Sequence, residues 1–477
     1  MYLIVGNFFG IQNYIFSNLK SKKSASILRG RSFDIYALMY ILSHKILQKY
    51  SLKNEDLIFL NSGKFYIKSK EKLCLKDIQN EIDSFFLENF LTDSGIYLFI
   101  VKIENDFSKT LEKINYEKEL KSFQKFSLWD KSTFLDSEYK IKASKNGICE
   151  QCEIRVKENE SDFCDVCNNH SKVGNDLRKK AKIINTRSLF YNLEKDEKDK
   201  SLEKFIPYVP KNNNEIKSFD EIADNSENLL IALKADIDNL GKNFFSKNTL
   251  EDYINLSKEL DDFMTIKLKE LIKEKNIYTV FSGGDDLFLI GEFNDILEFI
   301  PKFKKEFDSF AKINLPNSSI SISTEVIKNS TPIKYIVETL EKNLIKIKKQ
   351  KDSIYIFNQK LSFNQYEKSL VYIENEFKRY EKTINKTTSF YYNLMEIINK
   401  KVALDRKENI IENSMWTSNL SYFFKRNIIN KVYRTQRENS EKFLEFIYKT
   451  ILNDSEVFLV FIQKSIYQKR MKENGKK

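Results

Sequence analysis

One order of elements is written twice in this chain, and that repetition limits the folds open to it more than any other feature. The segments "YLIVGN", "IQNYIFSNL" and "GRSFDIYALMYILSHKILQKY" read as a strand, a short helix and a longer helix. Strands "DLIFLN" and "KFYIKS" follow across a Ser-Gly turn, then a helix near residues 75–92 and the strand "GIYLFIVKI". Apolar residues at period two mark the strands, and those recurring every three to four positions mark the helices. The resulting βα–ββ–αβ order is that of a ferredoxin-like unit. From "LLIALKADID" the order returns: a helix, the hairpin "IYTVFSGGDDLFLIG", a helix and the strand "SSISISTEVI". The helix "PIKYIVETLEKNLIKIKKQ" and the strand "SIYIF" extend it. "IFLNSGKFYIK" stands in the first unit where "TVFSGGDDLFLI" stands in the second, and "GNFFGIQNYIF" where "ADIDNLGKNFF" does. The expected fold is therefore α+β, built on a degenerate internal duplication.

Within the second unit, the hairpin turn should lie near the end of the first strand. That brings Asp236 and Asp238 of "LKADIDNLGK" toward Asp285 and Asp286 of "SGGDD". Buried carboxylates are costly unless paired or bound to metal. Convergent aspartates suit a hard divalent cation, Mg²⁺ or Mn²⁺, that shares its coordination with substrate phosphates. Gly283 and Gly284 permit a tight turn and close approach of a nucleotide. The loop "DNLGK", with Asn239 and Gly241, leads into a helix whose first N–H groups can face phosphates. Lys348 adds a positive charge near a leaving group. On "GGDD" alone an ordinary hairpin turn is equally acceptable; the pairing with "ADIDNLG" favours a site.

"CEQC" (Cys149, Cys152) and "CDVC" (Cys164, Cys167) present four thiolates at the spacing of a structural Zn²⁺ site. An iron site or a redox pair is the alternative. His170 is a spare donor that four cysteines make unnecessary, and Cys74 is expected in a core.

The 477 residues suffice for two to four domains, and 41% are apolar. The longest apolar runs, "IYLFIV" and "VFLVFI", are far short of a membrane span. "MYLIV" is short and has no basic segment before it, so no signal peptide and a cytoplasmic location are expected. A net charge of +11 is compatible with a polyanionic partner without locating one. Two histidines exclude a histidine-rich metallohydrolase centre, and neither adjoins an aspartate.

"FGIQNYIFS…ILRGRSF", the four-cysteine insertion, "SFDEIAD", "LKADIDNLGK", "LSKELDDFM", "VFSGGDDLFLIG" and "TPIKYIVETLEKNL" occur in one order. In that order the chain resembles the large subunit of type III CRISPR effector complexes, of the Csm kind, over most of residues 1–357. The resemblance implies two ferredoxin-like palm (cyclase/GGDEF-like) domains, a Cys₄ zinc module between them and a C-terminal helical domain. The corresponding division is 1–120 (first palm, without a metal site), 121–185 (zinc module), 186–225 (linker), 226–358 (second palm) and 359–477 (helical). It also implies synthesis of cyclic oligoadenylates from ATP when a guide RNA complex binds target RNA. Asp285, Asp286 and Asp236 would be catalytic and hold the cation; Ser282, Gly283, Gly284, Asp238, Asn239, Gly241 and Lys348 would border the nucleotide. Asn61, Ser62 and Gly63 of the first hairpin would hold a second ATP. Asn7 stands where a carboxylate belongs, so the first palm should bind no catalytic metal. Many members begin with an HD-type nuclease domain; this chain starts at the first palm strand, so no such DNase activity is expected. A nucleotide cyclase making another product, and a scaffold subunit of the complex, are the alternatives. Within a complex that also holds backbone, cap and small subunits, the helical region would dock the small subunit or the guide–target duplex, with Lys378, Arg379, Lys425, Arg426, Arg434 and Arg437 offering phosphate contacts, or it is simply a solvated surface.

Overall fold

The structure, a computed structural model, describes residues 1–16, 24–61, 63–89, 91, 93–123, 147–158, 161–178, 186–188, 191–193, 207–212, 215–224, 229–380, 387–429 and 437–474. In the first unit β1 (Tyr2–Phe9) leads through α1 (Ile11–Phe16) and α2 (Ser24–Lys49) to β2 (Leu57–Leu60) and β3 (Lys64–Ser69). Helix α3 (Lys76–Glu88), β4 (Gly95–Lys102) and α4 (Phe107–Phe123) complete it. The sheet order is β2-β3-β1-β4, with β1 antiparallel to both neighbours, as the βα–ββ–αβ pattern requires.

Helix α5 (Asp165–Arg178) carries the second cysteine pair. Two short hairpins follow, β5 (Thr186–Ser188) with β6 (Tyr191–Leu193) and β7 (Lys211–Asn212) with β8 (Glu215–Ile216), then α6 (Phe219–Ala223). The second unit contains β9 (Leu229–Asp238), α7 (Leu240–Phe245), α8 (Leu250–Asp262), α9 (Leu268–Ile272), β10 (Ile277–Gly283), β11 (Asp286–Glu292), α10 (Phe293–Asn314) and β12 (Ser319–Lys328). It closes with α11 (Ile333–Lys348), β13 (Ser353–Ile356) and β14 (Gln359–Ser362). Its order, β10-β11-β9-β12-β13-β14, repeats the first sheet and adds β13, parallel to β12, and β14. The helices α12 (Leu370–Arg379), α13 (Thr388–Asp405), α14 (Ile410–Asn413), α15 (Trp416–Asn427) and α16 (Arg437–Asn474) end the chain.

Three elements depart from the sequence reading. Helix α4 occupies polar, mixed residues to which the sequence pattern assigned no element; only Phe107, Thr110, Leu111 and Ile114 are buried, a stripe too narrow to stand out. Strand β14 extends the sheet into the part taken as helical, with Leu361 its one fully buried apolar residue. The helix read across "EDYINLSKELDDFMTIKLKELIKEK" is interrupted between α8 and α9 by a π-helical turn, Phe263–Lys267. The helices from α12 onward also have no core of their own. Phe293, Phe299 and Phe303 of α10 share one cluster with Phe443, Phe458 and Ile462 of α16.

The two units interlock by exchanging helices. Ile15, Phe16, Ile27 and Leu28 of α1 and α2 cover Tyr278, Val280, Phe288 and Ile290 on one face of the second sheet. In return, Tyr253 and Ile254 of α8 cover Val5, Tyr66 and Phe99 on the first. Burying both faces of each sheet in this way removes apolar surface that neither unit could hide alone.

Helices α2 and α5 approach at two glycines. A Cβ on Gly30 would stand 1.9 Å from the His170 carbonyl oxygen, and one on Gly174 1.9 Å from that of Ser26. Arg29 fixes the crossing: its Nε donates to the Gly174 carbonyl (3.1 Å) and its Nη1 to the Tyr278 hydroxyl (2.6 Å). Gly30→Ala or Gly174→Ala is therefore expected to lower stability by about 1–3 kcal/mol, the cost of overpacking, measured by thermal or denaturant unfolding. Wild-type stability in both variants would contradict the close crossing. Among the described residues, no helix is long and apolar enough to cross a membrane.

Candidate active site

Strand pairing places the acidic residues. Asp286, the first residue of β11, is the register partner of Asp236 in β9, and Gly283 is its partner in β10. Gly284 turns the hairpin with φ +62°, a left-handed backbone that suits glycine. The Lys348 Nζ, at the end of α11, lies 3.2 Å from Asp236 Oδ2. Gln12 of α1, from the other unit, donates its Nε2 to Asp286 Oδ2 at 3.0 Å.

Burial pushes the Asp236 carboxyl up to about 6; Lys348 pulls it back, while Asp285 and Asp286 push it further up. Burial also raises Asp286, Lys234 opposes this, and Asp285 reinforces it. A pocket that holds carboxylates against desolvation and mutual repulsion is one that a divalent cation would relieve. Among the described residues the aspartates do not form a cluster of ligand atoms as close as the cysteines do, and Asp236 is balanced by Lys348.

A consequence follows for pH. The Asp236 carboxyl titrates higher in the fold than in the unfolded chain, so protonation favours the native state. Its contribution to stability is present below about pH 4 and is lost as pH rises through about 6. Asp236→Asn should therefore raise the unfolding temperature of the metal-free chain at pH 7.5, with the gain shrinking toward pH 4. A variant that is less stable at pH 7.5 would contradict the strained carboxylate.

The hairpin opens onto a cavity of about 270 Å³ between the units. Asp285, Gly284, Gly241 and Leu240 border it from the second unit; Asn7, Asn61, Lys64 and Lys118 border it from the first. Phe59, Tyr66, Phe99, Phe244 and Tyr253 form an aromatic wall. Nothing within 4 Å would meet a Cβ on Gly241 or Gly284, so both glycines leave open space at the rim.

Three residues expected at the nucleotide are engaged elsewhere. Asp238 accepts from Ser319 Oγ (2.7 Å), Ser321 Oγ (2.9 Å) and the Asp352 N–H (3.0 Å), so this carboxylate ties β9 to β12. Asn239, at φ +62°, donates to the Asn317 carbonyl and accepts from Lys351. Ser282 donates to the Met264 carbonyl in the π-helical turn. Asn61 does border the cavity, where its Oδ1 accepts the N–H groups of Gly63 (3.1 Å) and Lys64 (2.9 Å). Ser62 lies outside the described residues, as does Arg434. Arg379 and Arg437 pair with Glu376 and Glu441 of their own helices.

Gln12, Lys64 and Lys118 were not singled out from sequence. The repeat held the signal for the first two. Asn7 pairs with Lys64 in the first sheet as Asp236 pairs with Asp286 in the second, so the acidic pair is replaced by Asn and Lys. Counting five residues on from Asn7 and from Asp236 reaches Gln12 and Gly241. Lys118 had no such signal, because α4 itself went unread.

All four cysteines are buried and unpaired by disulfides, and their sulfur atoms lie within 4.8 Å of one another. Cys152 Sγ and Cys164 Sγ are 3.8 Å apart. Four thiolates about 2.3 Å from a Zn²⁺ would be about 3.8 Å apart along a tetrahedral edge, so the cage fits that ion. His170 is not among these residues. Its Nε2 lies 3.5 Å from Asp34 Oδ2 and 3.3 Å from the Tyr14 hydroxyl, which itself donates to Asp34. Cys74 is exposed rather than in a core.

Comparison with known proteins matches two segments of the chain to family models. Residues 230–355 match the family model "Cas10/Cmr2, second palm domain", and residues 1–144 match "Csm1 subunit domain B". A Cas10/Csm1 (subtype III-A) of Enterococcus italicus, named as a single-strand-specific deoxyribonuclease, is 24% identical over 63% of this chain and 47% of its own length. A protein of the same name from Streptococcus thermophilus is 22% identical over 92% of this chain and 63% of its own length. The chain thus spans about half to under two thirds of these curated relatives. Among solved structures, a Csm1–Csm4 cassette in complex with AMPPNP aligns with a TM-score of 0.67 at 15% identity, covering 97% of this chain and 69% of that one. A cassette in complex with cA4 aligns at 0.63 and 15% identity, covering 96% and 70%.

An α+β chain with a GGDD hairpin on a palm sheet belongs to the palm-domain class of nucleotide-handling proteins. More narrowly, the chain is similar to Cas10/Csm1 proteins of subtype III-A, whose palm and domain B models match residues 230–355 and 1–144.

Proposed function

We propose that this chain joins ATP molecules into cyclic oligoadenylates by 3′–5′ nucleotidyl transfer, within an RNA-guided type III-A complex and in response to target RNA. The observation that carries this reading is the Asp236–Asp286 register pair, with Asp285 at the rim of a cavity shared by both units. Asp236, Asp285 and Asp286 would hold Mg²⁺ or Mn²⁺. When bound, such an ion neutralises phosphate oxygens and lowers the pKa of an attacking hydroxyl. Lys348, now balancing Asp236, is placed to turn to phosphate charge once a cation takes over the carboxylates. The aromatic wall provides faces on which a base can stack, and the glycines leave room for phosphates. Gln12 holds Asp286 from the other palm, so the centre requires both units in place. The cysteine cage would hold Zn²⁺ in a structural role, since four thiolates leave no open position.

Related cassettes have been seen with AMPPNP, one ATP, pppApA and cA3 or cA4, ligands of the proposed kind. A Csm4-type subunit is the partner this reading takes from that likeness; guide RNA and target RNA follow from the family resemblance alone. The deoxyribonuclease in the relatives' names is not part of it. His170 faces Asp34 and Tyr14, and His44 stacks on Tyr40, so neither reaches the carboxylates. The test is mass spectrometry of ATP products from the assembled complex, with and without target RNA. Target-dependent cyclic oligoadenylate is expected; ATP left unchanged with Mg²⁺ or Mn²⁺ would defeat the proposal.

A further inference from the structure

Helix α1 is six residues long, too short to hold a position by its own hydrogen bonds, yet it carries Gln12 to Asp286. Its opposite side is fixed in the core. Tyr14 enters a polar cluster with Asp34 of α2 and His170 of α5, and each of the three is 3% exposed. The Tyr14 hydroxyl donates to Asp34 Oδ2 and lies 3.3 Å from His170 Nε2, which is 3.5 Å from the same carboxylate oxygen. Burial lowers His170 more than Asp34 raises it, so the ring is neutral, and burial keeps the Tyr14 hydroxyl protonated. At the ends of the same helix, Arg31 Nη1 donates to the Ile15 carbonyl (3.1 Å) and the Ser94 hydroxyl to that of Gly10 (3.0 Å).

Two atoms of the cluster, Asp34 Oδ1 and His170 Nδ1, have no hydrogen-bond partner among the described residues. Phe8 and Phe86 meet the Tyr14 ring edge-on, so a phenylalanine at this position would fill the same space. A partly satisfied polar cluster inside an apolar core costs stability. What it supplies is direction, because the hydroxyl, carboxylate and imidazole hold α1 in one rotation.

We infer that Tyr14, Asp34 and His170 are positioning residues for the metal centre, holding α1 so that Gln12 meets Asp286. His170 stands three residues after Cys167, and its carbonyl lies against Gly30 of α2. The cysteine module and the acidic hairpin are thereby joined through one short helix. Gln12 orients the Asp286 carboxylate as outer partners of metal ligands do. The inference rests on reading Asp286 as a cation ligand.

Mn²⁺ binding to the full chain, followed by electron paramagnetic resonance, tests it without turnover. Gln12→Met keeps the reach of the side chain and removes its donor, and Mn²⁺ affinity should fall at least about tenfold. Tyr14→Phe, which touches no cation ligand, should lower it by a similar factor. Asp34→Asn keeps an acceptor for the Tyr14 hydroxyl and should retain most of the affinity. His170→Phe, on α5, provides a second reading with the same expected loss as Tyr14→Phe. Adding Tyr14→Phe to Gln12→Met should cost nothing further, since one acts through the other. Thermal unfolding checks that each variant is folded. A purely structural role would lower the unfolding temperature and leave the Mn²⁺ affinity of the folded chain unchanged; that result, or additive losses in the double variant, overturns the network. Intact binding in Gln12→Met removes this inference alone. Wild-type binding in Asp285→Asn/Asp286→Asn removes the metal centre, and the inference with it.

Discussion

With Asp285 and Asp286 both replaced by Ala, ATP conversion by the assembled complex is expected to fall by at least about a thousandfold. Asp286 is paired in register with Asp236, so its loss removes one side of the acidic pocket, and loss of Asp285 removes the carboxylate at the cavity rim. The fold should tolerate the change. Burial and repulsion raise the carboxyl of Asp286, so removing charge relieves strain rather than creating it. The variant should therefore unfold no earlier than wild type while making no product in a mass-spectrometric assay. Product formed at the wild-type rate by a folded double variant would refute the metal-ligand assignment.

Replacing Cys149 and Cys167 by Ser is the second large change. Structural Zn²⁺ in a Cys₄ cage contributes an apparent free energy of about 10–16 kcal/mol at neutral pH in isolated modules. Here the cage carries α5, which is fastened to α2 at Gly30 and Gly174 and through Arg29 to Tyr278 of the GGDD hairpin. The variant should lose its equivalent of bound zinc by elemental analysis and become sensitive to protease within residues 147–178. Because Tyr278 also donates to the Ala25 carbonyl, the hairpin should loosen from α2 as well, visible as faster amide exchange in β10. Unchanged zinc content, or protection as in wild type, would show that the cage is not what holds this module.

How much could be read beforehand varied with the strength of the pattern. The two hairpins were legible because their apolar alternation is strong and their turns carry glycine; both formed with the neighbours expected. The cysteine pairs were legible because metal-site spacing depends on local chain geometry. Helix α4 was missed because its buried stripe is narrow, and Lys118 was missed with it. Asp238 looked like Asp236 in sequence, two residues along the same strand face. Only the packing of β12 shows that two serines and a backbone N–H claim it.

The sequence by itself determined the duplicated βα–ββ–αβ order, the acidic hairpin and the four-thiol cage, since each depends on residues close together or on short periodicities. The tertiary structure decided which charges meet. Gln12 reaches Asp286 across 274 positions of sequence, and the lysines of one palm face the aspartate of the other. The physical reason is that this site lies between two sheets that hide their apolar faces under each other's helices. No local pattern encodes that exchange, and only packing fixes which side chains end up at the seam.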